Sequence, residues 1–145
     1  MSKILDTGVN NAKNVQRYIF SDGALSELST VIREKRKTDD DFVLYFIDAF
    51  FKADKNIVDV LQPSDNDKVV FVETKEEPTT EYINALSSIY RKYKNNPTAI
   101  VAIGGGITMD VAKAVSNLLT NSGDAEDYQG WDLVTVPGIY KIGIP

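Results

Sequence analysis

An α/β fold, a parallel sheet with helices on both faces, is the class this sequence predicts. Three observations lead there. Short apolar blocks, Phe42 to Ile47, Val69 to Val72 and Ala99 to Ile103, are spaced along the chain by segments of helical period. Each block is unbroken rather than alternating, which is the pattern of a strand buried on both faces. The block at Ala99 runs straight into Gly104-Gly105-Gly106 and then into a helix-period segment. Strands followed in turn by helices assemble as parallel βαβ units.

The elements follow in order. Asn14 to Phe20 mixes Val15, Tyr18, Ile19 and Phe20 with polar residues, and Ser21-Asp22-Gly23 is a turn or helix-start signal. A strand and then a helix are expected there. Leu25, Leu28, Val31 and Ile32 recur at helical spacing, and the basic run Arg33 to Lys37 stands where cations favour a helix C-terminus. Phe42 to Ile47 is a strand, too short for a helix and rich in strand formers. Lys68 to Val72 is the next strand. Pro78 marks a helix start, and Tyr82, Ile83, Leu86, Ile89, Tyr90 and Tyr93 lie on one packing stripe until Asn95-Asn96-Pro97 ends it. Ala99 to Ile103 is a strand, with a helix from about Thr108 to Leu119, and Tyr140 to Ile144 is the last strand. Residues 54–67 and 120–139 are expected to be long loops.

Composition narrows the function classes. A chain of 145 residues, 43% hydrophobic, suits a single domain that buries roughly two thirds of its unfolded surface. A net charge of -5 with interspersed signs offers no basic face to a nucleic acid. No apolar run reaches the roughly 20 residues of a membrane helix, and Met1 to Asp6 lacks the apolar stretch of a signal peptide. A cytoplasmic protein without nucleic-acid or membrane partners is expected. With no Cys and no His, thiolate and imidazole metal sites are excluded, and any metal here would rest on carboxylates and carbonyls.

Three adjacent glycines between a strand and a helix are the most informative feature. Without side chains the backbone can approach a phosphate closely, and the following helix offers unpaired N–H groups at the positive end of its dipole. The spacing is not G-x-G-x-x-G, and a tight turn without ligand is the alternative reading. Asp48, closing the strand Phe42 to Ile47, should stand at the carboxyl edge of the sheet, where ligands of such sheets bind. There a carboxylate can accept from both ribose hydroxyls of an adenosine and repel a 2′-phosphate, or it can simply cap the next helix. Spacing alone leaves both open.

The stretch Ala99 to Ser116, with its Gly-Gly-Gly-Ile-Thr-Met-Asp core, resembles the signature of the iron-containing alcohol dehydrogenase family within the dehydroquinate synthase-like superfamily. Tyr18-Ile19-Phe20-Ser21-Asp22-Gly23-Ala24 is similar to the family's opening strand and turn, and Glu77-Pro78-Thr79 to its Asn-Pro-Thr at a helix start. The likeness is strongest to dehydrogenases of the 3-deoxy-octulosonate 8-oxidase type, through Asp39 to Val43, Glu76 to Pro78, Leu119 to Asn121 and Tyr128 to Leu133. The resemblance implies a Rossmann-like domain over residues 1–145 that binds NAD or NADP. Its cofactor residues would be Asp48, Glu77, Gly104, Gly105, Gly106, Ile107, Thr108 and Asp110. Two departures stand out: Ile107 replaces a common Ser, losing a hydroxyl donor, and Glu77 replaces the usual Asn.

The resemblance further implies hydride transfer from a small alcohol or sugar alcohol, C8 of the octulosonate included, to nicotinamide. Family members run to well over twice this length, and a second, helical domain holds divalent iron or zinc through Asp and His. That domain lies outside this sequence, so the expectation is an N-terminal fragment, inactive alone, without catalytic or metal residues of its own and prone to homo-oligomerise. Two rival readings are a stand-alone nucleotide-binding module and half of a dehydroquinate synthase-like lyase. Lys113 in Asp110-Val111-Ala112-Lys113-Ala114 is more like the dehydrogenases.

Overall fold

The computed structural model describes residues 15–53 and 55–145. The chain divides into two compact units, residues 1–34 and 35–145. In the first, Gly23 takes the left-handed backbone (φ 73°) that turns the chain into a short 3-10 segment, Ala24–Glu27, and then into helix α1, Leu28–Lys35. Arg17 and Glu34, each about half exposed, pair at 2.9 Å. The strand expected over Asn14 to Phe20 is not formed by its described residues, 15–20; Asn14 lies outside the described residues. Gln16 and Arg17 interrupt its apolar residues, so no continuous face exists to bury, and Val15 and Phe20 stay exposed.

The second unit is built on four parallel strands: β1 (Val43–Asp48), β2 (Lys68–Val72), β3 (Ala99–Ile103) and β4 (Lys141–Ile144). Their order is β2-β1-β3-β4. This is the parallel, Rossmann-like α/β architecture that the apolar blocks predict. The central pair, β1 and β3, is buried almost throughout, whereas the edge strands are half-buried or exposed except at Val72. A neighbour on only one side explains the difference. Tyr45 is buried in β1, and burial, followed by the nearby Asp67 carboxylate, pushes its phenol up to about 12, so it packs as a neutral group.

Helices α3 (Thr80–Tyr90) and α4 (Gly106–Leu118) cover one face, where Leu44, Phe46, Ile100 and Ala102 meet Ile83, Leu86, Val111 and Val115. Thr79 caps α3, its hydroxyl accepting from the Tyr82 amide at 3.2 Å. The stripe expected on α3 is rotated. Ile83, Leu86, Ser87 and Tyr90 are buried, while Tyr82, Ile89 and Tyr93 are exposed. Ser87 tolerates burial because its hydroxyl donates to the Ile83 carbonyl one turn back.

Two expected loops contain structure. Residues 54–67 include helix α2, Lys55–Leu61, whose Leu61 is buried, and residues 120–139 include a 3-10 turn, Ala125–Tyr128. The second segment is held down by Asn121, whose side chain donates to the Asn117 and Val136 carbonyls and accepts from the Val136 amide. Helix α4 begins at Gly106, one half-turn before the expected Thr108. Among the described residues no helix is long and apolar enough to cross a membrane.

Candidate functional site

The chain leaves β1 toward β2 on one side and leaves β3 toward β4 on the other. Between β1 and β3 the order therefore reverses, and the two diverging connections open a crevice at the carboxyl ends of these strands. Ile47 and Ile103 are register partners, so Asp48 and Gly104 are the next residues on adjacent strands at that crevice. The sequence places both residues near strand ends; only the strand order makes them neighbours.

The three glycines differ in what requires them. Gly104 has φ +137°, and a Cβ there would lie 2.7 Å from the Asp48 Cβ and 3.1 Å from the Thr108 hydroxyl oxygen. Neither the backbone nor the space admits a side chain, and this glycine is needed by the fold itself. Gly105 is the N-cap of α4, without a side chain to bond the first turn, and Gly106 is the first helical residue. A Cβ at either would meet nothing within 4 Å. Both are exposed, and no internal packing accounts for their lack of side chains. The opening N–H groups of a 13-residue helix are left without a side-chain cap, an arrangement that attracts anions.

Asp48 is half-buried at the end of β1. Its Oδ1 accepts from the Phe50 amide at 2.9 Å, which starts the 3-10 turn Ala49–Ala53, and from the Thr74 hydroxyl at 3.2 Å. Asp48 thus fills the capping role. Its other oxygen, Oδ2, accepts no hydrogen bond among the described residues and lies 3.4 Å from where a Gly104 Cβ would be. One carboxylate oxygen serves the fold and the other is turned to the glycine loop.

The remaining candidates are distributed around this centre. Thr108 is fully buried on the first turn of α4, and its hydroxyl is the only buried side-chain polar atom without a hydrogen-bond partner among the described residues. Ile107 is half-buried and packs against the core, so the Ser-to-Ile departure removes a hydroxyl without leaving an apolar side chain in water. Asp110 points outward on α4 and pairs with Lys113 at 3.1 Å, both more than half exposed. Glu77 is exposed on the connection from β2 to α3. The structure therefore gathers Asp48, Gly104 and Thr108 closely around the loop, leaves Asp110 exposed on α4, and brings no contact between Glu77 and the loop among the described residues. Thr74, which touches Asp48, carries no sequence signal, since a single Thr past a strand end is unremarkable.

Chemically, the loop and helix terminus suit a phosphate or pyrophosphate, and the free Asp48 oxygen suits a hydroxyl donor beside it. Among the described residues no group of three or more His, Cys, Asp or Glu is placed to hold a metal ion.

Comparison with known proteins finds relatives over most of the chain. Residues 15–145 match the iron-containing alcohol dehydrogenase family. A choline dehydrogenase of Bacillus subtilis is 32% identical over 76 residues, 52% of this chain and 18% of its own length. An NAD-dependent methanol dehydrogenase of Bacillus methanolicus is 24% identical over 131 residues, 87% of this chain and 32% of its own. The solved structure of a sulfoacetaldehyde reductase from Bifidobacterium kashiwanohense, in complex with NAD+, superposes with a TM-score of 0.67 at 23% identity. That likeness, one of fold, covers 85% of this chain and 32% of the reductase. The chain thus spans about a third or less of the length of these relatives. On the match over residues 15–145, the chain belongs to the iron-containing alcohol dehydrogenase family.

Proposed function

We propose that residues 1–145 form the dinucleotide-binding domain of an NAD-dependent alcohol or sugar-alcohol dehydrogenase. The observation that carries this reading is the meeting of Asp48 Oδ2 with the Gly104 loop at the crevice where strand order reverses. Gly105 and Gly106 let the pyrophosphate reach the backbone, and the first N–H groups of α4 hold its charge. Asp48 accepts from the adenosine ribose and opposes a 2′-phosphate, so NAD is preferred to NADP. Thr108, Ile107, Asp110 and Glu77 complete the candidate cofactor residues of this reading. The bound nicotinamide supplies the hydride acceptor.

No step through iron or zinc is assigned to this chain, because its described residues offer no ligand cluster. By itself it binds nucleotide without oxidising alcohol. The substrate class is a primary alcohol, and the likeness over Asp39 to Val43, Glu76 to Pro78 and Tyr128 to Leu133 favours C8 of 3-deoxy-octulosonate. A cytoplasmic homo-oligomer belongs to the same reading: β4 is exposed at the sheet edge, where strands pair with other copies.

Calorimetry with NAD+ tests the proposal. Micromolar to millimolar binding by the chain, abolished in Gly106→Val with the circular dichroism unchanged, is expected. Equal affinity in Gly106→Val would overturn it, because a Cβ at Gly106 meets no protein atom within 4 Å.

A further inference from the structure

We infer that Thr74 is a positioning residue, whose hydroxyl fixes the plane of the Asp48 carboxylate so that Oδ2 is presented to a ribose hydroxyl. The inference rests on the dinucleotide reading above and adds a specificity determinant to it. The Phe50 amide alone holds Oδ1 at one point. Rotation of a carboxylate about its last bond is broad and soft, so a single donor leaves the second oxygen free to swing. The Thr74 hydroxyl reaches the same oxygen from a different element, at 3.2 Å. Two donors from two directions define an orientation where one defines only a position.

The source of that second donor matters. Thr74 stands two residues beyond Val72, which is the register partner of Asp48 in the neighbouring strand β2. The hydroxyl is thus anchored by the sheet rather than by the turn that Asp48 caps. Thr is also restricted at χ1, which makes its hydroxyl a rigid donor. With Oδ1 holding two donors, Oδ2 is the oxygen left for a ligand, and it faces the glycine loop. Capping of the 3-10 turn needs only the Phe50 amide. The Thr74 contact is surplus to that structural task.

The test compares the 145-residue chain with Thr74→Val and Thr74→Ser, titrated with NAD+ and with its analogue lacking the adenosine 2′-hydroxyl. Thr74→Val keeps the shape and removes the donor. Its affinity for NAD+ should fall about fivefold, equivalent to about 1 kcal/mol, with the analogue little affected. The affinity ratio of the two ligands should therefore shrink in Thr74→Val and recover in Thr74→Ser. A purely structural role lowers the folded fraction and so weakens both ligands equally, leaving the ratio unmoved. An unchanged ratio in Thr74→Val overturns the positioning role alone, provided the parent binds NAD+. Failure of the parent to bind NAD+ overturns the dinucleotide reading, and this inference with it.

Discussion

Opposite ends of the β1–β2 pair each carry an aspartate, and the two are used differently. At the amino end Asp67, with its side chain 1% exposed, has both oxygens filled: Arg36 reaches them at 2.6 and 2.7 Å, and the Val43 and Ser64 amides at 2.7 and 2.8 Å. At the carboxyl end Asp48 has one oxygen filled and one open. A buried carboxylate with every lone pair engaged is a fastener, since nothing is left for a ligand. A half-buried one with a free oxygen beside an uncapped helix terminus is a candidate site. The difference teaches that satisfaction of hydrogen-bonding capacity, more than residue type, separates scaffold from candidate function in this fold.

Paired substitutions break or sharpen that contrast most strongly. Asp67→Ala leaves Arg36 and two amides without their acceptor, and should cost about 3 kcal/mol in urea unfolding, as removal of one member of a buried ion pair does. Nucleotide affinity per folded molecule should not change. Asp48→Ala should cost less in stability, about 1 kcal/mol for a lost cap, while narrowing the preference for NAD+ over NADP+ by about 1–3 kcal/mol. If both mutants behaved alike in unfolding and in binding, the contrast between the two ends would be wrong.

A smaller effect comes from Asp41, which belongs to the fastened end. The Lys37 amide, then the Thr38 amide and hydroxyl, hold its carboxyl below the usual 3.8. A carboxylate whose folded pKa is depressed stabilises the fold fully above its unfolded pKa, and that contribution disappears as pH falls through the folded value. Asp41→Ala should therefore be less stable than the parent near neutrality, and the gap should close on acidification below about pH 4. Urea midpoints of both proteins across that range provide the check. A gap independent of pH would assign the loss to packing instead.

Legibility from sequence was uneven for identifiable reasons. β1, β2 and β3 could be read to within a residue because continuous apolar blocks leave a strand few other places to go. The Asn14 to Phe20 segment, with apolar residues interrupted by charge, suggested a strand that its described part does not form. Helix α2 was hidden because its seven residues give barely two turns of period between polar flanks. On α3 the sequence showed a stripe of six apolar residues, wider than the face that α4 and the sheet can cover, and only packing selected Ile83, Leu86 and Tyr90 from it. The glycine loop was read directly, yet the division of labour within it was not: Gly104 is required by its backbone and by Asp48, whereas Gly105 and Gly106 face open space.

The sequence by itself determined the α/β class, the strand blocks and the Gly104 to Gly106 turn into α4, along with the likeness that marks the family. Those features are local, set by side-chain period and by the few conformations that adjacent glycines favour. Tertiary structure decided the order β2-β1-β3-β4, which brings Asp48 to the loop and Thr74 to Asp48. It also decided that Asp67 would be closed and Asp48 half open. Crossover direction and strand neighbours join residues 24 to 56 positions apart, and no periodicity within any one segment encodes which of those distant partners it will meet.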